Sequence, residues 1–199
     1  MIMKTFTNCG FTLVETMVAI AILTLAISGA FFTANSSMVA AQTARDQLTA
    51  SYLAQEGIEY LRMMRDDEYL SAYHNGGLDV STTAWDNFLN ADTSIDVTTI
   101  SKCRTKTCTL DPAKDMGTGL NSSLQPCSGS SCGPLYLSNN IYTQQSGVTG
   151  SVLTTYYRTI QVLDVPLTDN DKKVVSTVSW LHHNLPYSVT VIDHLTPWK

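Results

Sequence analysis

The chain has 199 residues, 44% of them hydrophobic, and a formal net charge of −5 at pH 7. This length suffices for one membrane-proximal helix and one modest globular domain. The negative charge argues against a protein that binds nucleic acid over its whole surface, although local basic patches remain compatible with it.

The N-terminal residues combine a short leader, a glycine and a carboxylate that lies inside an apolar stretch. The chain reads Cys9-Gly10-Phe11, and Glu15 follows after three uncharged residues. An unpaired charge costs several kcal/mol in a segment that is otherwise suited to lipid. Glu15 is therefore expected to meet a partner of opposite charge.

A stretch without charged residues runs from Thr16 to Ala44 and is longer than the roughly 20 residues that cross a bilayer. Its strictly apolar part ends at Ala34, and Lys4 in the leader places the N-terminus in the cytoplasm. A cleaved secretory signal peptide and an uncleaved signal anchor are competing interpretations. The uncleaved anchor would make the chain a membrane-anchored exported binding or sensor protein.

Residues 6 to about 30 resemble the N-terminal signal of type IV prepilins and pseudopilins. The resemblance implies cleavage between Gly10 and Phe11 by a prepilin peptidase, which is also the methyltransferase that methylates the freed amine of Phe11. It further implies that this amine pairs with Glu15 of a neighbouring subunit. The chain would then be a structural subunit and not an enzyme.

The resemblance also implies partners and a location. The chain would be a minor pilin or pseudopilin of a type IV pilus or a type II secretion-like filament. It would contact other subunits through its N-terminal helix, and it would contact an inner-membrane assembly platform. The precursor would be a single-pass protein of the cytoplasmic membrane with its C-terminal domain outside the cytoplasm, and it would end in a pilus or pseudopilus. Leu53–Tyr60 and the terminal Leu195–Trp198 are similar to minor pilins of the pilus-modification kind.

The helix is predicted to continue beyond the apolar stretch as an amphipathic segment, because small and apolar residues recur there at helical spacing. Gly57 is its weak point, since glycine costs about 1 kcal/mol relative to alanine inside a helix. The predicted segments are the leader at 1–10, the N-terminal helix at 11–66 with its transmembrane or filament-core part at 11–34 and its amphipathic part at 35–66, and the exported globular domain at 67–199.

Two local elements are predicted early in the exported domain. A short helix at about 81–90 is indicated by a hydroxyl-rich start and by apolar residues at core spacing. A small hairpin is indicated at 135–144 around Asn139-Asn140.

The cysteines indicate an oxidising compartment. Cys9 leaves with the leader, and an even number of cysteines in a small exported domain favours disulfides. Zinc held by four thiolates is the alternative. Pairing of Cys103 with Cys108 and of Cys127 with Cys132 is preferred, because each of these bridges closes a short turn. The crossed pairings remain open alternatives. The remaining cysteines lie in a region at 100–133 that is predicted to be mostly loop, and they are Cys103, Cys108, Cys127 and Cys132.

The C-terminal part at 156–195 predicts a β-meander. Its strands are expected at 156–164, 173–180 and 187–195, with turns at 168–171 and 184–186. Three antiparallel strands need a cover on their apolar face, and the amphipathic part of the helix is the candidate. The predicted fold is therefore α+β, with a long N-terminal helix packed against a small antiparallel sheet and a disulfide-bearing loop region.

No catalytic set is visible in the sequence, which lacks hydrolase, metalloprotease, P-loop and dinucleotide-binding motifs. No cofactor and no metal ligand is predicted. His182 and His183 are expected to face opposite sides of a strand and to be surface residues.

Two clusters of charged residues are candidate binding sites. Asp169 and Asp171, with Asp164, are a candidate calcium site, for which a plain hairpin turn is the alternative. In the cysteine region, basic side chains alternate on a loop that could touch DNA phosphates, for which a solvated loop is the alternative. The basic residues are Lys102, Arg104 and Lys106.

Overall fold

The computed structural model describes residues 10–76, 78–90, 99–114, 123–128, 132–168 and 170–198. Side chains are described for these residues except 90, 99, 101 and 102. The chain divides into two compact units that meet in sequence between Arg45 and Asp46.

Helix α1 runs from Leu13 to His74 and belongs to both units. Thr12 caps its N-terminus, because the backbone N–H of Glu15 donates to Thr12 Oγ1 at 3.3 Å. The helix extends past the predicted end at residue 66, and Ala72 in this extension is buried. It ends in a turn in which Gly76 has a φ of +70°, a conformation that glycine adopts without strain.

The N-terminal unit consists of the apolar half of α1. All its side chains from residue 13 to residue 42 are exposed. An 18-residue window of α1 has a mean hydropathy of 2.2, so the helix is long and apolar enough to cross a membrane.

Hydroxyl side chains in this apolar half are satisfied within the helix. Thr16 Oγ1 donates to the Leu13 carbonyl at 2.8 Å, and Thr33 Oγ1 donates to the Gly29 carbonyl at 3.0 Å. Thr24, Ser28, Ser36, Ser37 and Thr43 make bonds of the same kind. Such bonds let polar residues lie in lipid without leaving a free hydrogen-bonding group.

The C-terminal unit contains two further helices and, within the described residues, one antiparallel sheet. Helix α2 is Val80–Asn90, as predicted, and α3 is Thr99–Thr105. The sheet has seven strands, which are β1 Cys108–Leu110, β2 Leu124–Pro126, β3 Pro134–Ser138, β4 Ile141–Thr143, β5 Val152–Asp164, β6 Lys172–His182 and β7 Leu185–Leu195.

Strand β5 is the centre of the sheet. It pairs with β6 on one side, and β6 pairs with β7. On its other side β5 pairs with β3 and, at Ile160, with β1. The hairpin around Asn139-Asn140 is confirmed as β3–β4, and both asparagines have positive φ. The predicted meander is confirmed as β5–β6–β7.

Two details differ from the sequence prediction. The β6–β7 turn is His183-Asn184, with φ of 51° and 64°, and Pro186 lies inside β7. Proline is tolerated there because, among the described strands, β7 pairs with β6 alone and so lies at the edge of the sheet. The region at 100–133 also contains more regular structure than predicted, since α3, β1 and β2 fall within it.

The amphipathic half of α1 covers the apolar face of the sheet, as predicted. Leu61 and Met64 pack in one buried cluster with residues of α2, α3 and the sheet. Leu53 packs in a second cluster with Val178 and Trp180. Gly57 lies at a close approach of the helix to the sheet, because an added Cβ would lie 2.6 Å from Ser176 Oγ. The observed fold is α+β.

Candidate processing and assembly site

The predicted cleavage position lies immediately before α1. Gly10, Phe11 and Thr12 are exposed and outside the helix, and Phe11 is 80% exposed. Among the described residues, no atom lies within 4 Å of a Cβ added to Gly10. Gly10 and Phe11 are therefore not enclosed by the part of the chain that the structure describes. Lys4 and Cys9 of the predicted leader lie outside the described residues.

Glu15 lies in the first turn of α1 and is exposed. Its carboxylate has no hydrogen-bond or ion-pair partner in the part of the chain that the structure describes. The hydroxyl groups that follow it up to Thr43 bond to carbonyls of the same helix, and Glu15 is the charged side chain of the stretch from Leu13 to Ala44.

Electrostatics at this helix end favour an anion. The N-terminus of a helix carries a partial positive charge of about half an elementary charge. An amine freed at Phe11 would add a full positive charge beside it. A carboxylate at the position of Glu15 would offset the positive charge of the helix end and that of the amine. A carboxylate on a second chain could likewise pair with an amine that approaches it.

Both predicted local disulfides are present. Cys103–Cys108 joins α3 to β1, and its sulfur-bearing side chains are 1% and 0% exposed. Cys127–Cys132 closes the chain between β2 and β3. The sulfur atoms of these four cysteines are therefore bonded in pairs, and none of them is a thiolate that could bind zinc.

The basic side chains considered for DNA differ in environment. The Arg104 guanidinium donates to both carboxylate oxygens of Asp164 at 2.9 Å, and Lys172 lies 3.0 Å from the same carboxylate. These bonds, first from Arg104 and then from Lys172, lower the pKa of Asp164. Lys106 is exposed, and the side chain of Lys102 lies outside the described residues.

Two of the three calcium candidates already have partners within the protein. Asp164 is held by the two cations just named, and Asp171 lies 3.0 Å from Nδ1 of His194. Asp169 lies outside the described residues. No group of three or more His, Cys, Asp or Glu side chains converges on a metal-sized site in the described part of the chain.

His182 differs from its prediction as a surface residue. Its Nδ1 lies 3.1 Å from the Asp46 carboxylate, and its side chain is 14% exposed. The Tyr156 hydroxyl donates to the same carboxylate at 3.3 Å. Burial and the negative charge of Asp46 raise the pKa of Tyr156 to about 12. His182 and His183 touch with ring centroids 4.3 Å apart, because His183 is a turn residue and strand alternation ends at His182.

Sequence reasoning assigned no role to Arg158, which is fully buried. Its guanidinium donates to the carbonyls of Leu53 at 3.1 Å and Leu110 at 2.7 Å and pairs with Glu56. Burial lowers the pKa of Arg158, and the adjacent Glu56 carboxylate opposes this effect. The signal in the sequence is alternation, since Arg158 falls in the same inward register as Ile160.

The family model of the prokaryotic N-terminal methylation motif matches residues 6–31. This match covers the predicted leader junction, Glu15 and most of the apolar stretch. No curated protein sequence and no solved structure matches the chain significantly. The chain therefore carries a type IV prepilin-type N-terminal signal, and this signal lies at the start of a helix that is long and apolar enough to cross a membrane.

Proposed function

We propose that the chain is a minor pilin or pseudopilin, a structural subunit of a type IV pilus or a type II secretion-like filament. In this proposal a prepilin peptidase cleaves between Gly10 and Phe11 and the Phe11 amine is methylated. The apolar half of α1 first anchors the subunit in the cytoplasmic membrane and then packs against the same half of other subunits.

One observation carries the proposal. Every side chain of α1 from residue 13 to residue 42 is exposed, although the segment is apolar. A contiguous apolar surface of this length is not stable in water and needs lipid or protein to cover it. A role as a membrane anchor accounts only for the state in which lipid covers this apolar surface. The methylation motif at the start of the segment predicts a cleavage that frees an amine. Assembly would let this amine pair with Glu15 of another subunit.

The mature N-terminus tests the proposal. The full-length chain is expressed in its native host, and membrane and sheared-filament fractions are analysed by intact-mass and N-terminal peptide mass spectrometry. The expected mature chain begins at Phe11, carries one N-methyl group and occurs in the sheared fraction. A chain that keeps Met1 and stays in the membrane would instead support the alternative, a signal-anchored binding or sensor protein.

A further inference from the structure

A cavity of about 560 Å³ lies in the C-terminal unit, away from every residue proposed for processing or assembly. It is bounded by the first half of α2, the turn between β5 and β6, and the C-terminal tail. Its polar and aromatic lining is provided by Thr82, Trp85, Asp86, Asn170, Thr196 and Trp198. Its volume falls within the range of small-ligand sites, about 300–1,000 Å³.

Asp86 supplies an acceptor that the fold does not use. It is exposed, and in the described residues it has no hydrogen-bond or ion-pair partner. Nearby carboxylates differ in this respect. Asp79 accepts from the Thr82 hydroxyl at 2.8 Å, and Asp66 pairs with Arg65 at 2.9 Å. Asp86 is thus free to bind hydroxyl groups of a ligand, and the exposed Asn170 amide adds both a donor and an acceptor.

The indole of Trp85 forms part of the wall of the cavity. Trp85 is 4% exposed, and its indole N–H has no acceptor among the residues that the structure describes. A buried donor without an acceptor is costly, and native structures satisfy such groups with protein, water or ligand. This N–H is enclosed by the protein, so Trp85 contributes part of its apolar ring to the cavity wall and no donor for a ligand.

The exposed aromatic ring and the unpaired carboxylate favour a neutral sugar over an anionic one. Trp198 is 45% exposed and lines the cavity. The guanidinium carbon of Arg65 already lies 4.9 Å from the centroid of its ring. The exposed remainder of this ring can pack against the weakly polar C–H face of a sugar, and the unpaired Asp86 carboxylate disfavours an anionic ligand.

We propose that this cavity binds a neutral saccharide. Asp86 and Asn170 bind its hydroxyl groups, and the exposed part of the Trp198 indole packs against its ring. The inference goes beyond a role in filament structure, and it is independent of processing and assembly.

The test uses the full chain, purified in a zwitterionic detergent that has no sugar headgroup. Immobilised neutral and acidic glycans are screened, and the best-bound neutral saccharide is titrated in solution by calorimetry. At least one neutral saccharide is expected to bind. Asp86→Ala and Asn170→Ala should each raise its Kd at least tenfold, because each removes hydrogen bonds to the ligand.

Asp67→Ala is the matched control, since Asp67 is an exposed carboxylate outside the cavity. Its Kd should stay within twofold of wild type. Circular dichroism checks folding, and Asp86→Asn replaces the alanine variant if that variant is misfolded. The proposal is overturned if no neutral glycan binds, if binding survives both cavity substitutions, or if the cavity takes tetramethylammonium in place of a saccharide.

Discussion

Helix α1 has two environments along one continuous backbone. In its first half, up to residue 42, all side chains are exposed, and the hydroxyl groups bond to carbonyls of the same helix. In its second half Leu53, Ile58 and Leu61 are 5%, 3% and 1% exposed. Polar side chains there bond to the sheet, as Arg62 does to Asp193 at 2.9 Å. The C-terminal unit thus covers one half of the helix, and the other half needs lipid or further chains.

The largest effect is expected when cleavage is blocked, because the exposed half of α1 would then not assemble with other subunits. Gly10→Glu places a charged side chain at the proposed scissile bond and should abolish the mature form, leaving membrane-bound precursor. Gly29→Ala is the control for cleavage, because Gly29 lies away from the proposed scissile bond and an added Cβ there has no atom of the described residues within 4 Å. Immunoblots of membrane and sheared fractions measure both. Wild-type mobility of the Gly10→Glu chain in filaments would refute the cleavage position.

The second prediction removes the unpaired carboxylate. Glu15→Ala should insert into the membrane and be processed, yet fail to assemble, since the Phe11 amine of a neighbour loses its partner. Removing one side of a charge pair in a low-dielectric setting costs roughly 3–5 kcal/mol. Glu59→Ala in the covered half should assemble normally, because Glu59 is 65% exposed and pairs with Arg62 three residues away. Filament yield in a strain without the wild-type copy decides the matter, and equal yields for both variants would contradict the role of Glu15.

The third prediction tests how the covered half is held. Arg158→Met removes the donors for two carbonyls and leaves Glu56 unpaired, so the free energy of unfolding should fall by about 3–5 kcal/mol. Arg62→Met removes the ion pairs with Glu59 and Asp193, in which Arg62 is 42% exposed, and should cost about 1 kcal/mol or less. Urea unfolding of the full chain in detergent, followed by tryptophan fluorescence, compares them. Similar losses for the two variants would mean that the buried pair contributes no more than an exposed one.

The fourth prediction separates the disulfides. Each closes a loop with a sequence separation of 5, which corresponds to about 2 kcal/mol by loop entropy. Cys103→Ala with Cys108→Ala should cost more than Cys127→Ala with Cys132→Ala, because Cys103 and Cys108 belong to the buried cluster that contacts α1. The same urea experiment measures the difference. A larger loss for the second pair would contradict this ranking.

Much of the fold was predictable because its signals are local and long. Strands β5, β6 and β7 have 13, 11 and 11 residues, enough for alternation to be visible. The asparagine pair at 139–140 marks a turn because asparagine tolerates positive φ. The processing motif is local as well, since Gly10, Phe11 and Glu15 lie within six consecutive positions.

What was missed depends on contacts between distant parts of the chain. Strands β1 and β2 have 3 residues each, too few for a periodic signal, and they exist because they pair with one another and because β1 also pairs with β5. Pro186 indicated a turn, yet an edge strand accommodates it. The cavity joins Asp86 to Trp198, which no local pattern connects.

The smallest expected effect compares one residue type in the two halves. Gly57 was expected to weaken the helix by about 1 kcal/mol relative to alanine, so Gly57→Ala should stabilise an isolated helix. In the folded chain its added Cβ would lie 2.6 Å from Ser176 Oγ and 3.2 Å from Ile160 Cδ1. Overpacking of this kind costs about 1–3 kcal/mol, so the net expectation is a loss of about 1 kcal/mol in urea unfolding.

The second-site variant Ser176→Gly removes the hydroxyl and Cβ that the new methyl group meets, and its Oγ has no hydrogen-bond partner in the described residues. Gly57→Ala combined with Ser176→Gly should therefore cost less than the sum of the two single changes, by about 1 kcal/mol. Gly29→Ala, in the uncovered half, should show no loss in the same assay. If Gly57→Ala is as stable as wild type, or if the double variant is only additive, glycine is not required for the close approach of α1 to β6.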